Sequence, residues 1–256
     1  MKARINMSKL TKLNGKNFEC FPLSWDTDYF GVKSARVNLK GIVKEDDKDR
    51  ILEYCSQFQF TTISNMNNIK ENNYWIGKKT NAFLTDMNIQ FHKVLNYKPN
   101  HQAENAYVVN NCLRNEQIVE IARKSFQHSR FFNDSKLCQE KAKNIYLHWT
   151  ECAFGQESKY FVICERDKQI AGYILCSLNE EQHYCVIELI AVDEKYQGQR
   201  VGKSLVQILE TFVIDKGINI IKVGTQVNNI SAAQFYSKMG FIYVSCGSVY
   251  HLWRKS

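Results

Sequence analysis

Only two prolines, Pro22 and Pro99, occur in 256 residues, so little of the chain is barred from helix or central strand. No two of the nine cysteines, at positions 20, 55, 112, 138, 152, 164, 176, 185 and 246, stand as Cys-x-x-Cys, which argues against a zinc ribbon. No apolar run approaches the ~18 residues of a membrane-spanning helix. The opening MKARINMSKLTKLNGK has no apolar segment of signal-peptide type. Blocks of about five or more like charges are missing, which argues against a basic nucleic-acid tail. There is no internal repeat and no low-complexity tract. The expectation is a soluble cytoplasmic protein without a bound metal, a nucleic-acid partner or a membrane partner.

What is present fits that class. Hydrophobic residues make up 44% and charged residues 23%, as in ordinary globular chains, and the length suits one large or two smaller domains. The formal net charge of +8 favours anionic partners without choosing among them. Cys164, Cys176 and Cys185 sit inside apolar strand-like runs and read as small buried hydrophobes in a reducing compartment.

The polar, aperiodic stretch around Pro99 divides the chain into residues 1–98, a small α/β domain, and residues 106–256. In the first part, Ala35 to Leu39 alternates like a strand, Ile51, Leu52, Cys55 and Phe58 have helical spacing, Phe60–Ile63 reads as a strand and Phe83–Leu95 as one or two more. In the second, Asn115–Phe126 carries a helical stripe, and Ser135 caps a helix running through Trp149. Strands follow at 160–165, 170–178 and 185–192. A helix over Val201–Ile214 stops at Lys216-Gly217, a strand covers 220–223, and a helix over Ser231–Met239 precedes the last strands at 242–253.

The turn Gln197-Gly198-Gln199-Arg200-Val201-Gly202 links a strand to a helix. Such a turn aims several backbone N–H groups and the positive end of a helix dipole at one spot, which suits a pyrophosphate. It lacks the Gly-Lys-Ser/Thr of a P-loop and the third glycine of a Rossmann fingerprint, and alone it is equally an ordinary βα turn. Downstream, Val223–Phe241 reads VGTQVNNISAAQFYSKMGF. With Leu189-Ile190-Ala191-Val192 and the turn, this segment resembles the GNAT superfamily of acyl-CoA-dependent N-acyltransferases. Asn229, Ala232, Phe235, Tyr236, Gly240 and Phe241 fall at the matching spacing. One position departs from the pattern: Arg200 stands where the family turn usually has glycine. Trp25-Asp26-Thr27-Asp28-Tyr29-Phe30-Gly31 and Ser129-Arg130-Phe131-Phe132-Asn133-Asp134 resemble one branch of that superfamily, the nucleotide-sugar N-acetyltransferases typified by dTDP-fucosamine acetyltransferase.

The resemblance implies a GNAT fold: an α/β (α+β) architecture with a central, mostly antiparallel sheet flanked by helices, preceded by the smaller α/β domain. It implies acetyl-CoA as co-substrate and a nucleotide-linked (dTDP or UDP) amino-deoxy sugar as acceptor, in surface-polysaccharide (O-antigen) synthesis. Ile190, Ala191 and Val192 would pair with the pantetheine arm. Gln197, Gly198, Gln199, Arg200, Val201, Gly202 and Lys203 would cradle the phosphates, and Asn229 would bond the CoA arm or cap its helix. Tyr236 would protonate the leaving thiolate, its alternative being a core tyrosine. Glu188, placed on the face of Ile190 by period two, is the candidate base, with His183 and a water chain as rivals. Trp25, Asp26, Tyr29, Phe30 and Arg130 are expected to bind the acceptor between the domains, the aromatics being equally readable as core. A protein, lysine or other small amine as acceptor, and a non-catalytic CoA-binding module, are the rival functions. The sequence does not read out oligomeric state, and a homodimer stays open.

Overall fold

The computed structural model describes residues 11–96 and 105–254; the opening ten residues and the expected boundary at Pro99 lie outside them. The order is β1 (Leu13–Gly15), β2 (Phe18–Pro22), α1 (Ser24–Phe30), β3 (Ser34–Leu39), α2 (Glu45–Cys55), β4 (Phe60–Asn65), α3 (Lys70–Lys79), β5 (Phe83–Val94) and β6 (Ala106–Asn110). It continues with α4 (Glu116–Ser125), α5 (Gln139–Lys143), α6 (Ile145–Ala153), β7 (Tyr160–Arg166), β8 (Gln169–Asn179), β9 (Tyr184–Val192), α7 (Val201–Asp215), β10 (Ile220–Gln226), α8 (Ile230–Lys238) and β11 (Ile242–Trp253). This is the expected α/β class: mostly antiparallel strands with helices against them.

Most elements fall where the periodicity puts them, and three readings change. Ser135 caps no long helix. Asp134 Oδ1 instead accepts from the Lys136 N–H at 3.0 Å, and the helical pattern divides into α5 and α6. The last strands expected at 242–253 are one long strand, whereas 83–94, expected as one or two, is one. Helix α3 escapes the pattern because Lys70–Lys79 is largely polar and buries only Asn72, Trp75 and Ile76.

The two compact units are not contiguous stretches. One gathers the residues up to Ile89 with Ser129–Ala142 and the segment from Ser245 onward; the other comprises Gln90–His128 and Lys143–Val244. In the first, β1, β2 and β3 pair antiparallel, β3 runs parallel to β4, and β4 pairs antiparallel with β11. The parallel step needs a crossover, which α2 supplies. Its core includes Phe18, Val37, Leu39, Ile51, Ile63 and Trp75. The segment 129–142 joins this unit through Asp134. Asp134 Oδ2 accepts from Trp253 Nε1 at 2.9 Å and pairs with His251 Nδ1 at 2.7 Å, and both Asp134 and His251 are wholly buried.

In the second unit β6, β7, β8 and β9 pair antiparallel in sequence, and β9 runs parallel to β10. One face, with Phe161, Ile163, Tyr173, Leu175, Leu189 and Ala191, packs against α4 and α6. On the opposite face a Cβ at Gly172 would meet Val201 Cγ1 at 3.1 Å, so this glycine lets the start of α7 lie close. Lys93 of β5 donates to Glu210 of α7 at 2.5 Å and to the Met239 carbonyl after α8 at 2.7 Å, fixing both helices to one strand. The described cysteines are free thiols, six of them buried, and burial pushes Cys20 and Cys55 up to about 12.

Two outcomes follow for the first unit. Asp134→Ala leaves the buried His251 and the half-buried Trp253 without their acceptor and lowers stability by about 3–5 kcal/mol, read from urea unfolding at pH 7. Burial holds the His251 imidazole below its ordinary value, against the pull of Asp134. The unfolded chain therefore binds this proton more tightly. The contribution is whole above pH ~6.5 and is lost as pH falls toward the folded value. Burial raises the Asp86 carboxyl to about 6 and raises that of Asp26, which opposes this loss over the same range. The contribution is therefore read by difference: from pH 7 to pH 5 the urea midpoint of the parent falls relative to that of His251→Asn.

Candidate active site

The second unit holds a cavity of ≈ 990 Å³ where β9 and β10 stop pairing. The two strands are in register from Ile220↔Tyr184 to Val223↔Ile187. Beyond that last pair, β9 continues to Val192 and β10 to Gln226, and both line the cavity. The cause lies on the other edge of β9. Leu189 faces Leu175 of β8, but Ile187 faces Cys176, so Glu188 is the extra residue of a β-bulge. A bulge bends its strand and increases the local twist.

The bulge also corrects the expected placement of Glu188. Ile190 pairs with Ile174, on the Gly172 face that α7 covers. Glu188 instead turns toward α6: its Oε2 accepts from Trp149 Nε1 at 3.3 Å, and its Oε1 is paired with Lys159 Nζ. The two side chains therefore lie on opposite faces, although burial alternates without a break from Tyr184 to Val192. His183 precedes β9, about 3.3 Å per residue away from the cavity-lining end, which removes it from the site.

At the far end of β9 lies the turn expected to serve as the cradle; Gln199 is not among the residues that line the cavity. Gly198 has φ 77° and Arg200 φ 63°, so the turn has two left-handed residues, one of them an arginine. A non-glycine residue there costs about 1–2 kcal/mol. The first capping bond of α7 runs from Ser204 N–H to the Arg200 carbonyl at 3.0 Å. The N–H groups of Val201, Gly202 and Lys203 come before it, among the orphan donors of a helix start. Gly198, Arg200, Val201, Gly202 and Lys203 line the cavity, and no acidic residue sits in the first turn of α7. A Cβ at Gly202 would meet the Phe235 ring at 3.1 Å, so this glycine seats α8 against α7. Donors, dipole and absence of acid fit the phosphates of a CoA-type ligand.

Asn229 caps α8, its Oδ1 accepting from Ala232 N–H at 3.2 Å and from the Ser231 hydroxyl at 3.1 Å. Tyr236 lies on the same helix among Phe91, Phe235 and Phe241, with ring centroids at 5.6–5.8 Å, and also lines the cavity. Burial pushes its phenol well above the ordinary value, so it is protonated at neutral pH.

The first unit brings the other candidates together. On α1, Trp25 stacks on Tyr29 at 5.1 Å and is 39% exposed. The Tyr29 hydroxyl donates to the Lys141 carbonyl at 2.7 Å, and Phe30 is buried against Phe131. Arg130 lies 3.9 Å over the Phe131 ring and 3.7 Å from Asp26. Burial raises the Asp26 carboxyl despite the opposing guanidinium groups of Arg130 and Arg36. Sequence reasoning missed Arg36, Trp149 and Lys159. Neither their spacing nor their residue type marks them, because their partners are distant along the chain.

Residues 115–241 match the acetyltransferase (GNAT) family. A curated relative, the spore coat polysaccharide biosynthesis protein SpsD of Bacillus subtilis, is 28% identical over 138 residues, covering 54% of this chain and 47% of that protein. The chain spans about half the length of the curated relatives it matches. A conserved protein of unknown function from Staphylococcus epidermidis shares the fold with a TM-score of 0.64 at 11% identity, over 96% of this chain and 95% of that one. A GCN5-related N-acetyltransferase from Sphaerobacter thermophilus does so with 0.61 at 10% identity, over 92% and 76%. By residues 115–241, which are about half of its length, this chain belongs to the acetyltransferase (GNAT) family.

Proposed function

We propose that this chain moves an acetyl group from acetyl-CoA to the amine of a nucleotide-linked (dTDP or UDP) amino-deoxy sugar used in surface-polysaccharide synthesis. The observation that carries the acetyl-CoA half is the cavity opened by the parting of β9 and β10, with the start of α7 and Tyr236 in its lining. Support for the acceptor half comes from SpsD, whose name assigns it to polysaccharide synthesis, and from the Trp25–Phe30 and Arg130 cluster.

Each role rests on the chemistry of a group. The free backbone of β9 from Ile190 to Val192 pairs with the amide-bearing arm of the ligand as an added strand does. The amides at Val201, Gly202 and Lys203 bind its phosphates, with Arg200 and Lys203 adding positive charge. Gln197, Gly198 and Gln199 shape the turn that brings those amides to the ligand. A backbone N–H of β9 faces the thioester oxygen and stabilises the developing oxyanion. Glu188 takes the proton of the acceptor's ammonium, and Tyr236, neutral at working pH, protonates the departing sulfur. Trp25 supplies an exposed ring for a base or sugar, and Arg130 a guanidinium for the diphosphate.

A thermal-shift screen with acetyl-CoA, dTDP and UDP tests the reading, since a ligand stabilises the fold that binds it. Stabilisation by acetyl-CoA and by one nucleotide is expected. Stabilisation by acetyl-CoA alone would move the acceptor to a protein or small amine, and none by acetyl-CoA would sink the enzyme reading. Tyr236→Phe is expected to lower kcat about 10²-fold with acetyl-CoA affinity unchanged by calorimetry; turnover like the parent's would remove this tyrosine from the chemistry.

A further inference from the structure

We propose that Lys159 and Trp149 are positioning residues that hold the Glu188 carboxylate in the bulge of β9 as the group that receives a proton from the acceptor's ammonium. The proposal rests on the acetyl-transfer reading above.

A carboxylate has two oxygens and about four lone-pair directions. At Glu188 each oxygen has one fixed donor, an ammonium on Oε1 and an indole N–H on Oε2, and each keeps room for a further bond. The pair is largely withdrawn from water, with side-chain exposures of 22% for Lys159 and 9% for Glu188, so removing either partner leaves a charge without its counter-ion. Trp149 adds rigidity without chemistry, because an indole N–H only donates. Its ring stacks on Tyr146 at 6.3 Å and 12°, and the Tyr146 hydroxyl donates to the His128 carbonyl at 3.0 Å. Glu188, His128 and Tyr146 all line the cavity. An extra backbone residue at the bulge frees the Glu188 side chain from the β8 register and turns it to these two donors.

The proton ledger closes on named groups. The ammonium gives one proton to Glu188, and the freed lone pair forms the C–N bond at the thioester carbonyl. The C–S bond breaks with its electron pair on sulfur, which takes the Tyr236 proton. The second proton lost by nitrogen restores the phenol, and Glu188 releases its own to water.

Trp149 also makes the arrangement measurable without an acceptor, since its indole is bonded to the group that titrates. In the full chain, a fluorescence titration step is expected that both Trp149→Phe and Glu188→Gln abolish. Lys159→Met moves that step up by about one pH unit or more, because a mostly buried carboxylate has lost its positive neighbour. Lys159→Arg returns it. Acetyl-CoA affinity by calorimetry stays within about twofold in each variant, which shows that each has folded. With dTDP-4-amino-4,6-dideoxygalactose as the acceptor, the acid limb of kcat/KM follows the fluorescence step, and Lys159→Met lowers kcat about tenfold. A step that stays put in Lys159→Met while acetyl-CoA binding is intact overturns the positioning role and leaves the acetyl-transfer reading standing. An acid limb that survives Glu188→Gln overturns the role of Glu188 in both.

Discussion

The bulge at Glu188 is the constraint on which the rest of the second unit depends. One surplus residue on β9 takes its register with β8 from Ile187↔Cys176 to Leu189↔Leu175. At the same point β9 leaves β10, its last partner there being Val223. A parallel pair that stayed in register would leave no cavity and no unpaired β9 backbone. The ladder bonds given up are offset by burial on both faces, where Leu189 and Ala191 meet α4 and α6 while Gly172 admits Val201 of α7. Lys93 then ties α7 and the residue after α8 to β5.

Much of this was legible in the chain. The stripes of α4 and α7, the apolar runs of β7 to β9, and the glycines at 198 and 202 are local signals with local causes. The bulge was not legible, because the burial of β9 alternates through it unbroken and only the register with β8 reveals the extra residue. Lys159 was invisible for a related reason: it stands 29 positions from Glu188, in a segment with no motif. Helix α3 was missed because its buried face has a tryptophan, an isoleucine and an asparagine instead of an apolar stripe. That asparagine, Asn72, bonds the Val43 N–H at 3.1 Å and the Gly41 carbonyl at 2.9 Å.

The first unit teaches the same lesson over longer range. Its strand pattern is readable, but its membership is not, since 129–142 belongs to it through a buried carboxylate that bonds residues 117 and 119 positions away. A chain divided by composition alone puts those residues elsewhere. Arg200 is a smaller case of the same kind. Its departure from glycine is plain in the sequence, and the left-handed backbone there is the physical content of that departure.

The buried thiols have a consequence for a chain proposed to handle thioesters. A thiolate inside such a protein would compete with the acceptor for the acyl group and trap it on the polypeptide. Cys176 lies near Glu188 and Lys159, yet its hydrogen bond with Cys185, together with burial, keeps its proton on well above neutral pH. Cys176 thereby packs like a small hydrocarbon and stays mute toward the chemistry proposed beside it.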